Sequence, residues 1–363
     1  MKVSRVRKSG KKAISSIKKT PKLAIDKKSQ FNQWIYKSGV IILTISVLTL
    51  VSIETKIVLS LLPLIDLLRF PVLSCQSTQS ASLYSRKSFD QMVVLEKNKL
   101  EDSYPQRNLE IEDFTAVASS ILAYDLDKEK TLFEKKPDTQ FPIASLTKLM
   151  TGLLIRENIA LMDEWLEFSK SDLEVDGHKN LFKTGEKFKV DDLLAASLIA
   201  SNNEATTLLA RSLENKIIDA DQAMNFVDLM NQKAQAIGLG DTHYSNPVGF
   251  DSNNFSTSWD LVNLIKFILK AYPDFFLQTI ELQKTITSQE GRGLTLTNTN
   301  YLLGEIMGIE GSKTGHTDLA RDCLLLIRNF SGDRLVLIIL GADNRREEMR
   351  DLINWIEQAY VFN

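Results

Sequence analysis

The stretch Phe141–Leu154, FPIASLTKLMTGLL, is where the chain changes its period. Upstream, Thr115–Tyr124 (TAVASSILAY) combines alternation with β-branching and predicts a strand, and Lys130–Lys135 predicts a second across a turn at Asp125–Glu129. From Leu146 to Arg156 the apolar residues recur at helical spacing, in a helix beginning at Ala144–Ser145. The same spacing continues in Val190–Ala200, Glu204–Leu213, Ala220–Ala236 and Trp259–Lys270. Beyond residue 280 the pattern returns to strands, over Gln283–Thr287, Leu294–Thr297, Asp322–Asn329 and Arg334–Gly341, and an amphipathic helix follows over Arg345–Tyr360. Strands at both ends of a helical run predict a mixed α/β (α+β) fold, with one sheet built from distant parts of the chain and a helical lobe inserted between them.

Working outward, the folded body spans residues 113–363, and 71–112, rich in Ser, Gln, Lys and Glu, read as a linker. Residues 1–38 carry 12 Lys and Arg against the single acid Asp26, a net +11, which leaves −13 on the remainder of a chain whose total is −2. An acidic body argues against an enzyme that grips nucleic acid, since phosphate would be repelled. The uncharged run Gly39–Ile53, extended back to Ile35, instead reads as a transmembrane signal anchor over 35–53, with Trp34 and Tyr36 at headgroup level. The basic head stays cytoplasmic by the positive-inside rule, so the expected location is a single-pass cell-membrane protein with its body outside the cytoplasm. Within 54–70, the apolar stretch Ile57–Leu68 is interrupted by Pro63 and Asp66 and is expected to lie in the interface; a second crossing there would return the body to the cytoplasm. Cys75 and Cys323 stand far apart on either side of the linker, which does not suggest a disulfide.

Three short motifs carry chemistry. In Ser145-Leu146-Thr147-Lys148 a hydroxyl and an amine three residues apart share one helical face. A lysine that is neutral can take the serine proton and make the oxygen a nucleophile. Taken alone, a capping Ser followed by a surface Lys is the commoner meaning of this spacing. Ser201-Asn202-Asn203 lies at a break between two apolar helical runs, where polar side chains can face a cleft; a simple helix cap explains it equally well. Gly311-Ser312-Lys313-Thr314-Gly315-His316-Thr317 precedes the strand expected through Cys323. A Lys and a Thr adjacent on an edge strand suit a substrate carboxylate, and Gly315 allows close approach of a substrate backbone, whereas an exposed turn is the plain alternative.

The three motifs in this order resemble the signature of the penicillin-recognising serine acyltransferases, S-x-x-K, S-x-N and K-T-G. Within them the sequence is most similar to the D-alanyl-D-alanine carboxypeptidases, the low-molecular-mass penicillin-binding proteins, through FPIASLTKLMTGLL, SNNEATTLLA (201–210), THYSNPVGFD (242–251) and GSKTGHTDLARDCLLL (311–326). The resemblance covers about residues 115–360. It implies a β-lactamase/transpeptidase-like fold, an antiparallel sheet flanked by helices. It also implies a serine hydrolase that trims the terminal D-alanine of peptidoglycan stem peptides through an acyl-enzyme, with β-lactams as covalent inhibitors. The catalytic residues it implies are Ser145, Lys148 and Ser201; Asn203, Lys313, Thr314, Gly315 and His316 bind substrate, with backbone N–H groups of Ser145 and His316 as oxyanion hole.

Two departures from the family pattern stand out. Arg321 occupies the place of a small Gly before a strand, which threatens that strand's entry, and the stretch up to Asn363 is not expected to hold the β-rich C-terminal domain many relatives carry. His178, His243 and His316 are isolated from one another, so His243, Asn246 and Gly249 are expected to be structural, and neither a metal nor another cofactor is expected. The absence of an E-x-x-L-N stretch between 201 and 313 disfavours a class A β-lactamase. A D,D-endopeptidase acting on cross-links, that class A-like β-lactamase and a catalytically silent wall-binding module are the alternatives.

Overall fold

The computed structural model describes residues 104–158, 162–177, 180–219 and 224–362. Seven strands and six helices frame the site: β1 Ser120–Asp125, β2 Lys130–Lys135, α1 Lys148–Glu157, α2 Val190–Leu198, α3 Asn203–Asp219, α4 Phe226–Ala236, α5 Ser258–Ala271, β3 Gln283–Thr287, β4 Gly293–Thr297, β5 Ile309–Thr317, β6 Arg321–Phe330, β7 Asp333–Ala342 and α6 Arg345–Ala359. Five of the strands make one antiparallel sheet in the order β5-β6-β7-β1-β2, while β3 and β4 form a separate hairpin. The expected antiparallel sheet from distant segments with an inserted helical lobe is therefore the observed fold.

Side-chain alternation explains why β6 and β7 read as almost unbroken apolar runs. Cys323, Leu325 and Ile327 of β6 and Val336, Ile338 and Leu340 of β7 join the core beneath the helical lobe. Their neighbours Leu324, Leu326, Leu335, Leu337 and Ile339 pack instead with Met349, Leu352, Ile353 and Ile356 of α6. A strand covered on both faces loses the polar half of its alternation. Each of those large α6 side chains, buried against the sheet, contributes about 1.5–3 kcal/mol of apolar transfer. Asn344 caps α6 by accepting from the Arg346 and Glu347 amides.

Helix α1 is enclosed nearly all round, with Lys148 through Ile155 all buried. A helix apolar on every side belongs in the middle of a domain. Neighbours press close at Gly152: a Cβ there would lie 3.1 Å from the Phe275 ring and 3.3 Å from Leu194.

The structure differs from the sequence reading in several places. The strand expected from Thr115 begins only at Ser120. The α3 helix continues to Asp219 rather than ending near Leu213, and α4 starts at Phe226, so the helix expected from Ala220 starts late; residues 220–223 lie outside the described residues. The edge strand expected to carry Lys313 and Thr314 runs over Ile309–Thr317, nine residues, and the exposed-turn alternative does not hold. Its polar Glu310-Gly311-Ser312-Lys313-Thr314 core carries no apolar alternation, because one side of it faces the cleft described below.

Residues 106–112, expected in the linker, are folded. Gln106–Arg107 pairs with Tyr360–Val361, and the Arg107 guanidinium lies over Trp355 and Tyr360. Arg321 has φ +55°, a left-handed conformation that glycine adopts without strain, yet it enters β6 in register opposite Thr317. The threatened strand entry is intact. The basic head 1–38, the anchor 35–53, the interfacial segment 54–70 and most of the 71–112 linker lie outside the described residues, as do Cys75 and His178. Among the described residues no helix is long and apolar enough to cross a membrane.

Candidate active site

Ser145 sits in a single 3-10 turn, Ala144–Thr147, that leads into α1. Its predecessor Ala144 has φ +47°, and such strain persists only where the surroundings enforce it. The enforcement comes from two sides. Gly249 packs its backbone against the Ala144 carbonyl, and Gly315 of β5 passes so close that a Cβ there would be 3.1 Å from the Ser145 nitrogen. The first turn of α1 then places Lys148 behind the serine: its Nζ donates to Ser145 Oγ at 2.7 Å and to the Val248 carbonyl at 2.7 Å, and Lys148 has no solvent exposure.

A second serine and lysine meet across the cleft. Ser201, with φ +52°, lies in the break between α2 and α3, and Lys313 Nζ from β5 donates to its Oγ at 2.8 Å and to the Thr314 carbonyl at 2.8 Å. Lys313 is 1% exposed. The capping alternative for the Ser201-Asn202-Asn203 triplet also holds, but for the middle residue alone. Asn202 Oδ1 accepts from the Ala205 amide, and its Nδ2 donates to Glu204 Oε2. Ser201 and Asn203 are thereby left to line the cleft.

The cleft has a volume of about 220 Å³ and is lined by Ser145, Ser201, Asn203, Thr314, Gly315 and His316, so every sequence-predicted site residue borders it or, in the case of the two lysines, hydrogen-bonds a serine that does. Asn203 is anchored to the opposite loop, its Nδ2 donating to the Asp176 carbonyl at 2.7 Å. His316 Nδ1 lies 2.8 Å from Asp322 Oδ1, with the ring 61% exposed.

Among the further cleft residues to which the sequence assigned no role are Thr299, Phe250 and Arg345. Thr299 Oγ1 lies 2.5 Å from Thr314 Oγ1 and orients that hydroxyl. Arg345 Nη1 donates to Asp322 Oδ1 at 2.6 Å and to the Gly315 carbonyl at 3.3 Å. A cation in the first turn of a helix opposes the macrodipole, and that was the signal available in the sequence. Nothing local marked Thr299, and Phe250 stood without a role inside the 242–251 stretch.

The residues expected to be structural are so. His243 exchanges backbone hydrogen bonds with Phe255 and packs against its ring, and Asn246 Oδ1 accepts from the Val248 and Gly249 amides. Gly249 takes φ +81° in that turn. Cys323 is a free thiol, and burial pushes it up to about 12.

A family model described as D-alanyl-D-alanine carboxypeptidase matches residues 107–344. The chain belongs to the D-alanyl-D-alanine carboxypeptidase family. The chain is 29% identical over 263 residues to a D-alanyl-D-alanine endopeptidase of Pseudomonas aeruginosa, a match covering 71% of the chain and 82% of that relative. It is 27% identical over 248 residues to the D-alanyl-D-alanine carboxypeptidase DacF of Bacillus subtilis, covering 67% of the chain but only 62% of that protein. Among solved structures, penicillin-binding protein D2 of Listeria monocytogenes in its ampicillin-bound form superposes with a TM-score of 0.58 at 28% identity, over 68% of this chain and 98% of that one. The chain is thus a hydrolase of this family with the penicillin-binding fold.

Proposed function

We propose that this chain removes the terminal D-alanine from peptidoglycan stem peptides through an acyl-enzyme on Ser145. The observation that carries the reading is the pair of serine–lysine hydrogen bonds, 2.7 Å for Ser145 with Lys148 and 2.8 Å for Ser201 with Lys313, set in one cleft. In its neutral form Lys148 takes the hydroxyl proton as Ser145 Oγ bonds to the carbonyl carbon between the two D-alanines. The oxyanion faces the backbone N–H groups of Ser145 and His316. When the carbon–nitrogen bond breaks, the leaving amine receives a proton through Ser201, and water then hydrolyses the ester and regenerates the serine.

Thr314, oriented by Thr299, and Arg345 are the partners for the substrate's terminal carboxylate, with Lys313 adding charge behind them. Asn203 holds the peptide backbone. A β-lactam fits the same requirements and would acylate Ser145; the ampicillin-bound Listeria relative supports this. The long basic head and the apolar run over 35–53 support a single crossing that leaves the body outside the cytoplasm.

Fluorescent penicillin labelling of the full-length protein tests the nucleophile: a stable adduct in the parent that disappears in Ser145→Ala is expected, and labelling that survives the substitution would refute it. Because endopeptidases stand among the relatives, D,D-endopeptidase action on cross-links is the second reading. D-alanine release from a pentapeptide, set against cleavage of a cross-linked dimer, separates the two. For the topology, protease added to whole cells is expected to digest the body, and full protection would reverse the assignment.

A further inference from the structure

Away from the cleft, the β1–β2 turn meets the start of β7. Lys313 shares a row of the sheet with Leu325, Ile338 and Leu122. Asp125 and Asp333 lie three and five residues from that row, roughly 10 to 17 Å along the strands, toward the end away from Gly315. There one carboxylate oxygen from each of Asp125, Asp127 and Asp333 comes within 4.8 Å of the others.

Asp125 has no solvent exposure. Its Oδ1 accepts from the Asp127 and Lys128 amides, both at 2.9 Å, while its Oδ2 is buried with no hydrogen-bond partner. Asp333 is 8% exposed, with Lys128 Nζ 3.5 Å from its Oδ1. Asp127 Oδ2 accepts from the Arg334 amide at 2.6 Å, and its residue opens to solvent. Three carboxylates against one ammonium leave an excess of two negative charges around a buried oxygen that nothing satisfies. An orphaned buried carboxylate oxygen is costly, and two more carboxylates beside it add repulsion. Burial, and then the charges of Asp333 and Asp127, raise the Asp125 carboxyl above its ordinary range.

We propose that Asp125, Asp127 and Asp333 bind a hard divalent cation of the calcium class. The donors are all oxygen, with no His or Cys in the cluster, which selects hard cations over zinc or copper. A charge of 2+ matches the excess. Calcium accepts irregular geometry and completes its shell with water, to which the exposed Asp127 opens, whereas magnesium demands a regular octahedron. Bound there, the ion joins the β1–β2 turn to the turn between β6 and β7 and strengthens the middle of the sheet without touching the reaction.

The test uses the full-length protein stripped with EGTA and titrated with CaCl2 by calorimetry, alongside thermal unfolding. We expect one ion per chain at roughly 0.1–1 mM affinity, a higher unfolding temperature with calcium, and weaker binding of MgCl2. Asp333→Asn is expected to weaken calcium binding about tenfold or more while penicillin labelling persists, since the buried pair loses a charge. Asp127→Asn, at an exposed position, repeats the test should Asp333→Asn fail to label. Lys128→Met is expected to tighten binding roughly threefold by removing the competing ammonium. Asp113→Asn, whose carboxylate pairs with Arg107 elsewhere, should change nothing. The absence of saturable binding, or binding indifferent to both aspartate substitutions, overturns the proposal. So does stability that rises on acidification yet ignores calcium, which would assign Asp125 and Asp333 a shared proton instead.

Discussion

Replacing Gly249 by Ala should disable the cleft although residue 249 carries no reacting group. At φ +81° any side chain is strained, by about 1 kcal/mol. The larger effect is steric: a Cβ at this position would lie 1.9 Å from the Ala144 carbonyl oxygen, 2.5 Å from its carbon and 2.7 Å from Thr147 Oγ1. Ordinary contact begins near 3.4 Å, so the two backbones must separate by about 1.5 Å. One of them carries Ser145 directly after Ala144, and the other offers the Val248 carbonyl to Lys148. Whichever yields, nucleophile and base part company, and a misplacement of about 1 Å costs on the order of 100-fold in rate. Overpacking adds about 1–3 kcal/mol to the loss of stability. Gly238→Ala is the matched control, with φ +79° and nothing within 4 Å of the new Cβ, so it bears the conformational cost alone. Acylation by a fluorescent penicillin, measured as a second-order rate constant beside the urea midpoint, should fall about 100-fold in Gly249→Ala and stay within twofold in Gly238→Ala. Acylation of Gly249→Ala within threefold of the parent, or an equal loss in both variants, would refute the steric argument.

Lys313→Met removes the donor to Ser201 and should slow acylation roughly 10- to 100-fold with little loss of folding, as judged by labelling rate against unfolding midpoint. Although burial raises the Asp172 carboxyl, the hydrogen bonds from Arg211 and Ser169 outweigh it and hold the group below the usual range. A depressed folded value means the pair stabilises above the ordinary carboxylate pKa of about 3.9 and stops doing so as pH falls through the folded value. Arg211→Met should therefore lower the urea midpoint at pH 6 and converge on the parent in strong acid; a gap that persists at low pH contradicts the assignment. The Cys323 thiol, buried and raised to about 12, should react with a thiol reagent at neutral pH only after denaturant is added, as a spectroscopic thiol titration would report. Arg321→Gly should relieve a left-handed residue at the loss of an exposed pair with Asp343, leaving acylation unchanged and stability within about 1 kcal/mol of the parent.

The order and spacing of residues alone determined the chemistry on offer. Ser145 and Lys148 are three positions apart, and helical geometry brings them to one face wherever the helix lies. Period changes near residues 141 and 280 separated the helical lobe from the sheet, because apolar spacing reports which face of an element is buried. Tertiary structure decided what has no local signature. Residues 201 and 313 meet only because the break between α2 and α3 and the edge strand β5 border one cleft, and the extent of β5 had no apolar alternation to mark it. Arg345, Thr299 and the carboxylate group at Asp125 and Asp333 come from segments far apart in the chain. A sequence records the periodicity of each element, whereas the approach of two distant elements depends on how their buried faces fit together.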